Sequence, residues 1–491
     1  MPGRPQADCI LPAFGSFHAL CPFVPCRIGM PMIPAAPSLK RRVLHAGSWT
    51  IGSHGVSQVL RLASNLVMTR LMVPEMFGVM AIAMTLIVGL ALFSDIGLRL
   101  SIIQSTRGEE EAFLNTAWSV QILRGVLIAV TGMLISIGLL FAQKLGYIPP
   151  NNVYHEPILP YVLVALSASM LVSGFESTKV IVASRRLALG RLAFLEITQQ
   201  LVGIAVMIGW ALVARSIWAL VAGAFVSNLY RVTLGYALFS GPNNKWYWEK
   251  AAYSEIIRMG KWIFLSSILG FVLNNGDRLL LGGLVSAEML GVYSIAIMIV
   301  GAVETGARKV ISNVCYSAIN EVVREKAGDA SALRKIYYRF LQPVDFILYL
   351  ITGMLYVSGT AIIRFLYDAR YQDAGWILPI LSFSLLAIRF DLASCCYLAI
   401  GRPKLGTALV VARLLGYGLV PPAFAIWGLQ GALWVLALNF MCVAPVIYYF
   451  NAMLGILDWK KELAVTPALI LGAAAGWLIS IILPLLRHVQ H

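Results

Sequence analysis

The chain has 491 residues, of which 59% are hydrophobic and only 12% are charged. Soluble domains carry roughly 25% charged residues, so this composition excludes an ordinary soluble globular protein and indicates a membrane protein. The net charge of +15 does not indicate nucleic-acid binding, because the basic residues lie in short loops between apolar runs. The cysteines show no CxxC spacing and the histidines are scattered, so the sequence predicts no metal site.

Residues 1–38 are rich in proline and lack a sustained apolar run. Pro22 and Pro25 interrupt the short apolar stretch in this segment, which therefore makes a poor signal peptide. We interpret the segment as a disordered cytosolic extension, and Met30 or Met32 could be the true start of the protein.

Long apolar runs follow one another from residue 45 to residue 486. A membrane-crossing helix needs about 20 apolar residues, and helices are favoured over strands because their backbone groups bond within the segment. The sequence therefore predicts an all-α polytopic membrane protein with about thirteen spans. The approximate spans are 45–69, 76–97, 115–142, 159–183, 191–213, 216–239, 260–284, 287–310, 337–360, 374–399, 404–426, 428–451 and 463–486.

The basic residues divide unequally between the two sets of predicted loops. If the N-terminus is inside, the inner loops hold twenty-three lysines and arginines and the outer loops hold six. Basic residues accumulate on the cytosolic side of membrane proteins. The pattern therefore predicts a cytosolic N-terminus and an odd number of spans, and it explains the basic charge without a nucleic-acid partner.

The sequence contains an internal repeat. PEMFGVMAIA, from Pro74, matches AEMLGVYSIA, from Ala287, and GSW, from Gly47, matches GKW, from Gly260, all at an offset of 213. TGML recurs at an offset of 221. Since a six-helix unit restores the orientation of the chain, the halves are expected to be parallel repeats with a cavity between two six-helix lobes. An old duplication without a central cavity is the alternative.

The predicted organisation has five parts. A polar connection before the second repeat carries Trp246, Tyr247, Trp248 and Tyr253 among charges, as interfacial amphipathic segments do. The parts are the extension at 1–38, an N-lobe at 39–239, a cytosolic interfacial linker at 240–259, a C-lobe at 260–451, and an additional transmembrane helix with a tail at 452–491.

Several charged residues lie inside the predicted spans, where they are costly unless they face a cavity or a partner. Arginines outnumber carboxylates there, and a guanidinium binds phosphate or carboxylate through two parallel hydrogen bonds. The sequence thus predicts a cationic cavity for an anionic, phosphorylated cargo, lined by Arg61, Arg124, Arg278, Arg389 and Arg413. The alternative is internal pairing of Arg124 with a carboxylate, of Asp277 with Arg61, and of Arg413 with Asp345 or Asp391.

The deep carboxylates Asp277, Asp345 and Asp391 are candidates for ion coupling, because a desolvated aspartate can titrate near neutral pH. A salt-bridge role is the alternative for each of them. Arg124 is expected near mid-depth, at the position of the first repeat that corresponds to Asp345. The Pro421–Pro422 pair predicts a kink in the eleventh span.

Several motifs, in order over residues 39–450, resemble the polysaccharide transporter family of bacterial oligosaccharide flippases (Wzx-like). They are TRLMVPEMFGVMAIA, SDIGLRLSIIQ, GDRLLLGGLVSAEMLGVYSIA and AIGRPK. The resemblance places the chain in the multidrug/oligosaccharidyl-lipid/polysaccharide exporter superfamily and implies a V-shaped pair of six-helix lobes. It implies alternating-access transport of an undecaprenyl-pyrophosphate-linked oligosaccharide across the bacterial inner membrane, coupled to a proton or sodium gradient. The single extra C-terminal span departs from a simple twelve- or fourteen-span pattern.

The resemblance implies as partners the lipid-linked oligosaccharide, membrane lipid, and the polymerase and glycosyltransferases of surface-polysaccharide assembly. A multidrug exporter of the same superfamily is disfavoured, because such proteins move cations. A lipid II flippase shares the preference for an anion and stays open. A membrane enzyme of polysaccharide assembly would need a large external loop or a His/Asp/Glu cluster, and the sequence shows neither. It also contains no Walker motif that would indicate a nucleotide cofactor.

Overall fold

The computed structural model describes residues 39–186, 188–325 and 329–488. Within these ranges the chain is built from helices and contains no strand, because apolar runs can satisfy their backbone hydrogen bonds internally only as helices. The proposed extension at 1–38 lies outside the described residues. The multi-pass, all-α prediction is confirmed.

Eight helices form the N-half of the chain. They are α1 (Leu39–Leu71), α2 (Pro74–Phe93), α3 (Leu98–Gln104), α4 (Glu111–Lys144), α5 (Leu159–Gly174), α6 (Lys179–Arg185), α7 (Leu189–Val213) and α8 (Trp218–Leu238).

Nine helices form the C-half, and two more end the chain. The C-half has α9 (Lys250–Gly282), α10 (Ala287–Val310), α11 (Tyr316–Glu325), α12 (Ala330–Leu366), α13 (Ala374–Ser382), α14 (Arg389–Ala399), α15 (Pro403–Tyr417), α16 (Val420–Ala437) and α17 (Phe440–Met453). The last two are α18 (Trp459–Leu463) and α19 (Ala468–His488).

Eight helices of the described ranges are long and apolar enough to cross a membrane, or nine if the bent pair α5–α6 is one span. Four other predicted spans, those of α1, α8, α9 and α15, are not among these helices. Each carries ionisable residues within its apolar run, namely Arg61, Arg231, the pair Asp277–Arg278 and Arg413. The count of about thirteen therefore stays a prediction, as do the boundaries of the two lobes. Helix α9 already begins at Lys250, inside the predicted linker.

Three predicted spans are interrupted. Helices α5 and α6 meet at an angle of 67°, and a 3₁₀ segment at Phe383–Ile388 separates α13 from α14. Helix α15 ends at Tyr417, and α16 begins with Pro421–Pro422 in its first turn. The helix boundary lies just before these prolines, because proline can begin a helix but removes a hydrogen bond inside one. A kink at the prolines stays a prediction, and α16 itself is kinked at Gly428.

The two copies of the repeat motif pack against each other through α2 and α10. A Cβ atom on Gly78 would overlap the carbonyl oxygen of Ala287, and one on Gly291 would overlap that of Pro74. The offset of 213 relates Pro74 to Ala287 and Gly78 to Gly291, so the two contacts are equivalent and the matched motifs meet reciprocally. Small residues permit this close approach between membrane helices. We call this end of the bundle the latch face, and the end with residues 94–110, 240–249 and 400–403 the basic face.

Helix α19 packs closely along α12. A Cβ atom on Gly353 of α12 would overlap the backbone of Leu469, and one on Gly472 of α19 would overlap that of Leu350. Gly472 and Gly476 form a GxxxG pattern, which allows two helix backbones to approach closely. The thirteenth predicted span is thus attached to the C-half through α12.

We expect Gly472→Leu to lower thermal stability, because the new side chain would push α19 away from α12. The free energy of unfolding should fall by about 1–3 kcal/mol or more, as is typical of overpacking. The unfolding midpoint in detergent measures this loss. Gly138→Leu is the matched control, because a Cβ at this α4 position meets no atom within 4 Å. Equal midpoints for both variants would contradict the contact.

Candidate functional site

The two halves are joined by side chains at the latch face. Arg70 forms an ion pair of 2.5 Å with Asp368, and the Tyr371 hydroxyl donates a hydrogen bond of 2.9 Å to the carbonyl oxygen of Met72. Tyr154 donates a hydrogen bond of 3.2 Å to the carbonyl oxygen of Leu279. Together with the glycine contacts, these bonds close the assembly at the latch face.

Away from the latch face, charged residues of the two halves face each other without forming ion pairs. His54 and Glu196 of the N-half interact electrostatically with Lys309 of the C-half, and Arg61 interacts with Arg278. Among the described residues, none of these pairs lies within the 4.0 Å of an ion pair. We call the region where these residues of the two halves approach one another the cleft.

Of the residues in the cleft, Arg61 and Arg278 most strongly indicate an anion-binding site. The Arg61 side chain is exposed, and the Nε atom of Arg278 is buried without a hydrogen-bond partner in the described part of the chain. Two guanidinium groups of like charge repel each other unless an anion lies between them, and both bind phosphate oxygens well. The alternative pairing of Arg61 with Asp277 is not found among the ion pairs of the described residues.

The C-half encloses a polar cavity of about 490 Å³ beside the cleft. Its wall contains Arg278 and Arg413, as the sequence predicted for the cationic cavity, together with Asp277. The Asp277 carboxylate accepts a hydrogen bond of 2.5 Å from the Tyr293 hydroxyl. We call this space the C-half cavity.

Asp391 lies near the C-half cavity, where it forms an ion pair of 2.5 Å with Arg308. Arg308 also pairs with Glu304 at 2.9 Å. The sequence offered Arg413 as a partner of Asp345 or Asp391 and did not point to Arg308. The i, i+4 spacing of Glu304 and Arg308, which lie on one face of α10, is a signal for the pair that they form.

Arg389 does not line the cleft or the C-half cavity, and its assignment to the cationic cavity is corrected. Its side chain is 6% exposed and pairs with Asp345 at 3.0 Å and with Glu462 at 2.5 Å. Tyr338 donates a further hydrogen bond of 2.8 Å to Glu462. The 3₁₀ segment turns Arg389 into the bundle, and α18 brings in a carboxylate from outside the predicted spans. Asp345 is therefore in a salt bridge here, and its ion-coupling role stays a prediction.

Arg124 lies near the basic face rather than at mid-depth, which corrects the expected depth. It donates hydrogen bonds to the carbonyl oxygen of Ala91 at 2.6 Å and to the hydroxyl of Ser94 at 3.2 Å, and it lies 3.9 Å from Asp95. Helix α4 has 34 residues and spans about 51 Å, which exceeds the hydrocarbon core of about 30 Å. Its first turns therefore project beyond the core, and depth counted from the helix start is overestimated.

A second polar cavity, of about 360 Å³, lies in the N-half and includes Arg124 in its wall. Arg231 pairs there with Glu176 at 2.8 Å. The wall carries Arg99 and Glu196 as well, so positive and negative residues are balanced. The sequence predicted one cavity with five arginines, whereas the structure distributes them among the cleft, two cavities and a buried ion-pair cluster.

The segment at 240–249 is attached to the N-half at the basic face. The backbone N–H groups of Lys245 and Glu249 donate hydrogen bonds to the side chains of Asn115 and Thr116, at 3.0 and 3.1 Å. Arg107 pairs with the Glu249 carboxylate at 2.9 Å. Nearby, a hydrogen bond from Arg186 lowers the pKa of the Glu109 carboxyl. The basic face of the N-half is thus held together by hydrogen bonds and ion pairs, and the Glu109 carboxylate stays charged at neutral pH.

The structure defines a multi-pass helical membrane protein in which charged residues of the two halves approach one another without forming ion pairs. The model of a family described as "Polysaccharide biosynthesis protein" matches residues 67–375, and the chain belongs to this family. The chain is also 21% identical over 328 residues to the lipopolysaccharide biosynthesis protein WzxC of Escherichia coli (strain K12). That alignment covers 66% of this chain and 63% of the relative, so it spans less than two thirds of the relative's length.

Solved structures with the same fold include the lipid II flippase MurJ in an inward closed conformation. It has a TM-score of 0.65 and 13% sequence identity, and the match covers 90% of this chain and 99% of that one. An inward-facing multidrug resistance MATE family transporter of the MOP superfamily has a TM-score of 0.54 and 15% identity, with 87% and 95% covered. These similarities show that the chain shares the fold of these proteins, and the family match confirms the resemblance found in the sequence.

Proposed function

We propose that the protein flips an undecaprenyl-pyrophosphate-linked oligosaccharide across the bacterial inner membrane for the synthesis of a surface polysaccharide. The observation that supports this most is that Arg61 and Arg278 interact with each other electrostatically and form no ion pair in the described chain. A pyrophosphate offers several negative oxygens to two guanidinium groups at once. Family membership and the relative WzxC favour a cargo from polysaccharide synthesis.

The excess of basic residues on one side supports an orientation with the basic face and the N-terminus in the cytosol. In this orientation the described conformation is closed toward the periplasm and has its cleft on the cytosolic side of the latch. The cargo then enters from the cytosolic leaflet and leaves on the periplasmic side after the latch opens.

Opening of the latch face breaks one weak contact and several buried ones. The Arg70 side chain is 57% exposed, and an exposed ion pair contributes only about 0–1 kcal/mol. Separation of α2 from α10 would also expose buried apolar side chains, among them Ile82 and Ile295. In an alternating-access cycle, a proton or sodium gradient acting on Asp277, Asp345 or Asp391 would supply the energy for this step.

A lipid II flippase is the second candidate, because the lipid II flippase MurJ has the same fold. Lipid II is also an anionic lipid that carries a pyrophosphate. A multidrug exporter suits the cleft less well, since Arg61, Arg278 and Lys309 would repel a cationic drug. The proposed partners are a polysaccharide polymerase and glycosyltransferases, which consume and supply the cargo.

Transport into proteoliposomes tests the proposed function and its coupling. We expect the protein to flip undecaprenyl-pyrophosphate-linked oligosaccharide under an imposed ion gradient, and to stop when an ionophore collapses the gradient. Lipid II and a cationic drug are the comparison substrates. Transport of the drug alone would contradict the flippase, and continued transport after the gradient collapses would contradict the coupling.

A further inference from the structure

The buried cluster around Arg389 contains one basic side chain and two acidic ones. The Nη2 atom of Arg389 lies 3.0 Å from the Asp345 carboxyl group and 2.5 Å from that of Glu462. Both acidic side chains are only 3% exposed. If both were ionised, the cluster would carry one uncompensated negative charge away from water, which is very costly unless the charge is neutralised.

The surroundings of the cluster do not supply a second positive charge. The titratable and charged groups that interact electrostatically with Asp345 are Arg389 on α14, Glu462 on α18, Tyr337 and Tyr349 on α12, and Tyr448 on α17. Tyrosine side chains are neutral at physiological pH. Arg334 and Lys461 are basic residues of the same region, but both pair with Asp458, at 2.6 and 3.7 Å. Within the described chain, Arg389 thus has two carboxyl groups to balance.

Burial distinguishes this cluster from another with the same ratio of charges. Arg308 also contacts two carboxyl groups, those of Glu304 and Asp391. The three side chains there are 30% to 33% exposed, so solvent screens the extra charge. Arg413 also interacts electrostatically with Asp391. Among the described residues, the cluster at Arg389 has neither form of compensation, and a bound proton would supply it.

The two carboxyl groups of the cluster have different hydrogen-bond partners. One oxygen of Glu462 accepts Arg389 and the other accepts the Tyr338 hydroxyl. Asp345 contacts Arg389 through Oδ2, and its Oδ1 atom is buried without a hydrogen-bond partner in the described chain. Hydrogen bonds to a carboxylate favour its charged form, whereas burial and a neighbouring carboxylate favour the neutral form. A proton in this cluster therefore belongs on Asp345 rather than on Glu462.

We propose that the cluster binds one proton at neutral pH, carried by Asp345, and that this proton stabilises the packing of α18 against α12 and α14. The charges are then equal, because Arg389 balances Glu462. Without the proton, two carboxylates would repel each other beside one guanidinium, and the contact that Glu462 makes from the five-residue helix α18 would weaken. The inference does not rest on the proposed cargo, because the cluster lies outside the cleft and the C-half cavity.

A proton suits the cluster better than a metal ion. Arg389 would repel a metal cation, and Asp345 offers a single unpaired oxygen atom. Oxygen-bound cations such as Mg²⁺ and Ca²⁺ take about six or more ligands. Of the three carboxylates considered for ion coupling, Asp345 is thereby suited to a proton gradient rather than to a sodium gradient.

Infrared spectra of the full-length protein, in a detergent without ester groups, test for the proton. A protonated carboxyl group has a carbonyl band that an ionised carboxylate lacks. At neutral pH we expect this band in wild type, and we expect Asp345→Asn, a nearly isosteric variant, to lose the intensity of one carboxyl group. Glu109→Gln is the matched control, because Glu109 is an ionised carboxylate at the basic face, and it should keep the full band.

The unfolding midpoint in the same detergent gives a second readout. As the pH rises from mildly acidic to mildly alkaline, wild type should lose stability, because the folded protein holds a proton that the unfolded carboxyl group has released. The amide of Asp345→Asn has no such proton, so its midpoint should fall less over the same range. Glu109→Gln should follow wild type.

Two outcomes would overturn the proton site. One is a wild-type spectrum without a protonated carboxyl band at neutral pH, a result that needs no variant to interpret. The other is equal band intensity in wild type and in Asp345→Asn, whose folding is shown by a size-exclusion profile that matches wild type. Neither measurement involves the cargo, so the proposed function is tested separately.

Discussion

Replacement of Arg278 with alanine should abolish surface polysaccharide while the protein remains in the membrane. The side chain faces Arg61 across the cleft and has a buried, unpaired Nε atom. Loss of its two-pronged contact with phosphate should cost about 3 kcal/mol, or more than a hundredfold in affinity. Arg278→Lys should recover part of the function, because lysine retains the charge but lacks the planar fork.

The control for this experiment is Arg215→Ala, since Arg215 is an exposed arginine in a loop between α7 and α8. Its removal changes the net charge by the same amount and should leave polysaccharide export at the wild-type level. Immunoblots of membrane fractions show whether each variant is inserted. Normal export by a well-inserted Arg278→Ala variant would remove the basis for the cationic cleft.

Replacement of Arg389 with alanine should unfold or strongly destabilise the protein rather than impair transport selectively. The variant would leave Asp345 and Glu462, both almost fully buried, without a compensating cation. Removal of one member of a buried ion pair typically costs about 3–5 kcal/mol. We expect a low yield from membranes and a lowered unfolding midpoint, measured by intrinsic tryptophan fluorescence in detergent.

A triple variant, Arg389→Met with Asp345→Leu and Glu462→Met, is the matched comparison. It removes the whole cluster, and apolar replacements of buried ion groups are often neutral or stabilising. We expect it to recover most of the stability that Arg389→Ala loses. If Arg389→Ala instead kept its stability and lost transport alone, Arg389 would belong to the cargo site after all.

The repeat motif and the strongest candidate residue were readable in the sequence because both depend on local patterns. The offset between Pro74 and Ala287 predicted matched segments, and these segments meet in the structure at the latch face. Arg278 was identified because a charge in an apolar run needs a cavity or a partner. These inferences required no knowledge of how the helices pack.

The errors arose where depth was inferred from distance along the chain. Arg124 was placed too deep because α4 is much longer than the membrane core is thick. Arg389 was assigned to a cavity because the sequence shows neither the break before α14 nor the position of Glu462 on α18. Both features depend on tertiary contacts. Pairing between residues 73 positions apart has no signature in a single sequence.

In the proposed mechanism, the cleft binds a lipid-linked pyrophosphate through Arg61 and Arg278. The decisive measurement is the affinity of purified protein for undecaprenyl pyrophosphate, compared between wild type, Arg215→Ala and the double variant Arg61→Gln with Arg278→Gln. We predict tight binding to wild type and Arg215→Ala and a loss of more than a hundredfold in the double variant, as expected from about 3 kcal/mol. Equal affinity of the double variant and wild type would contradict the account.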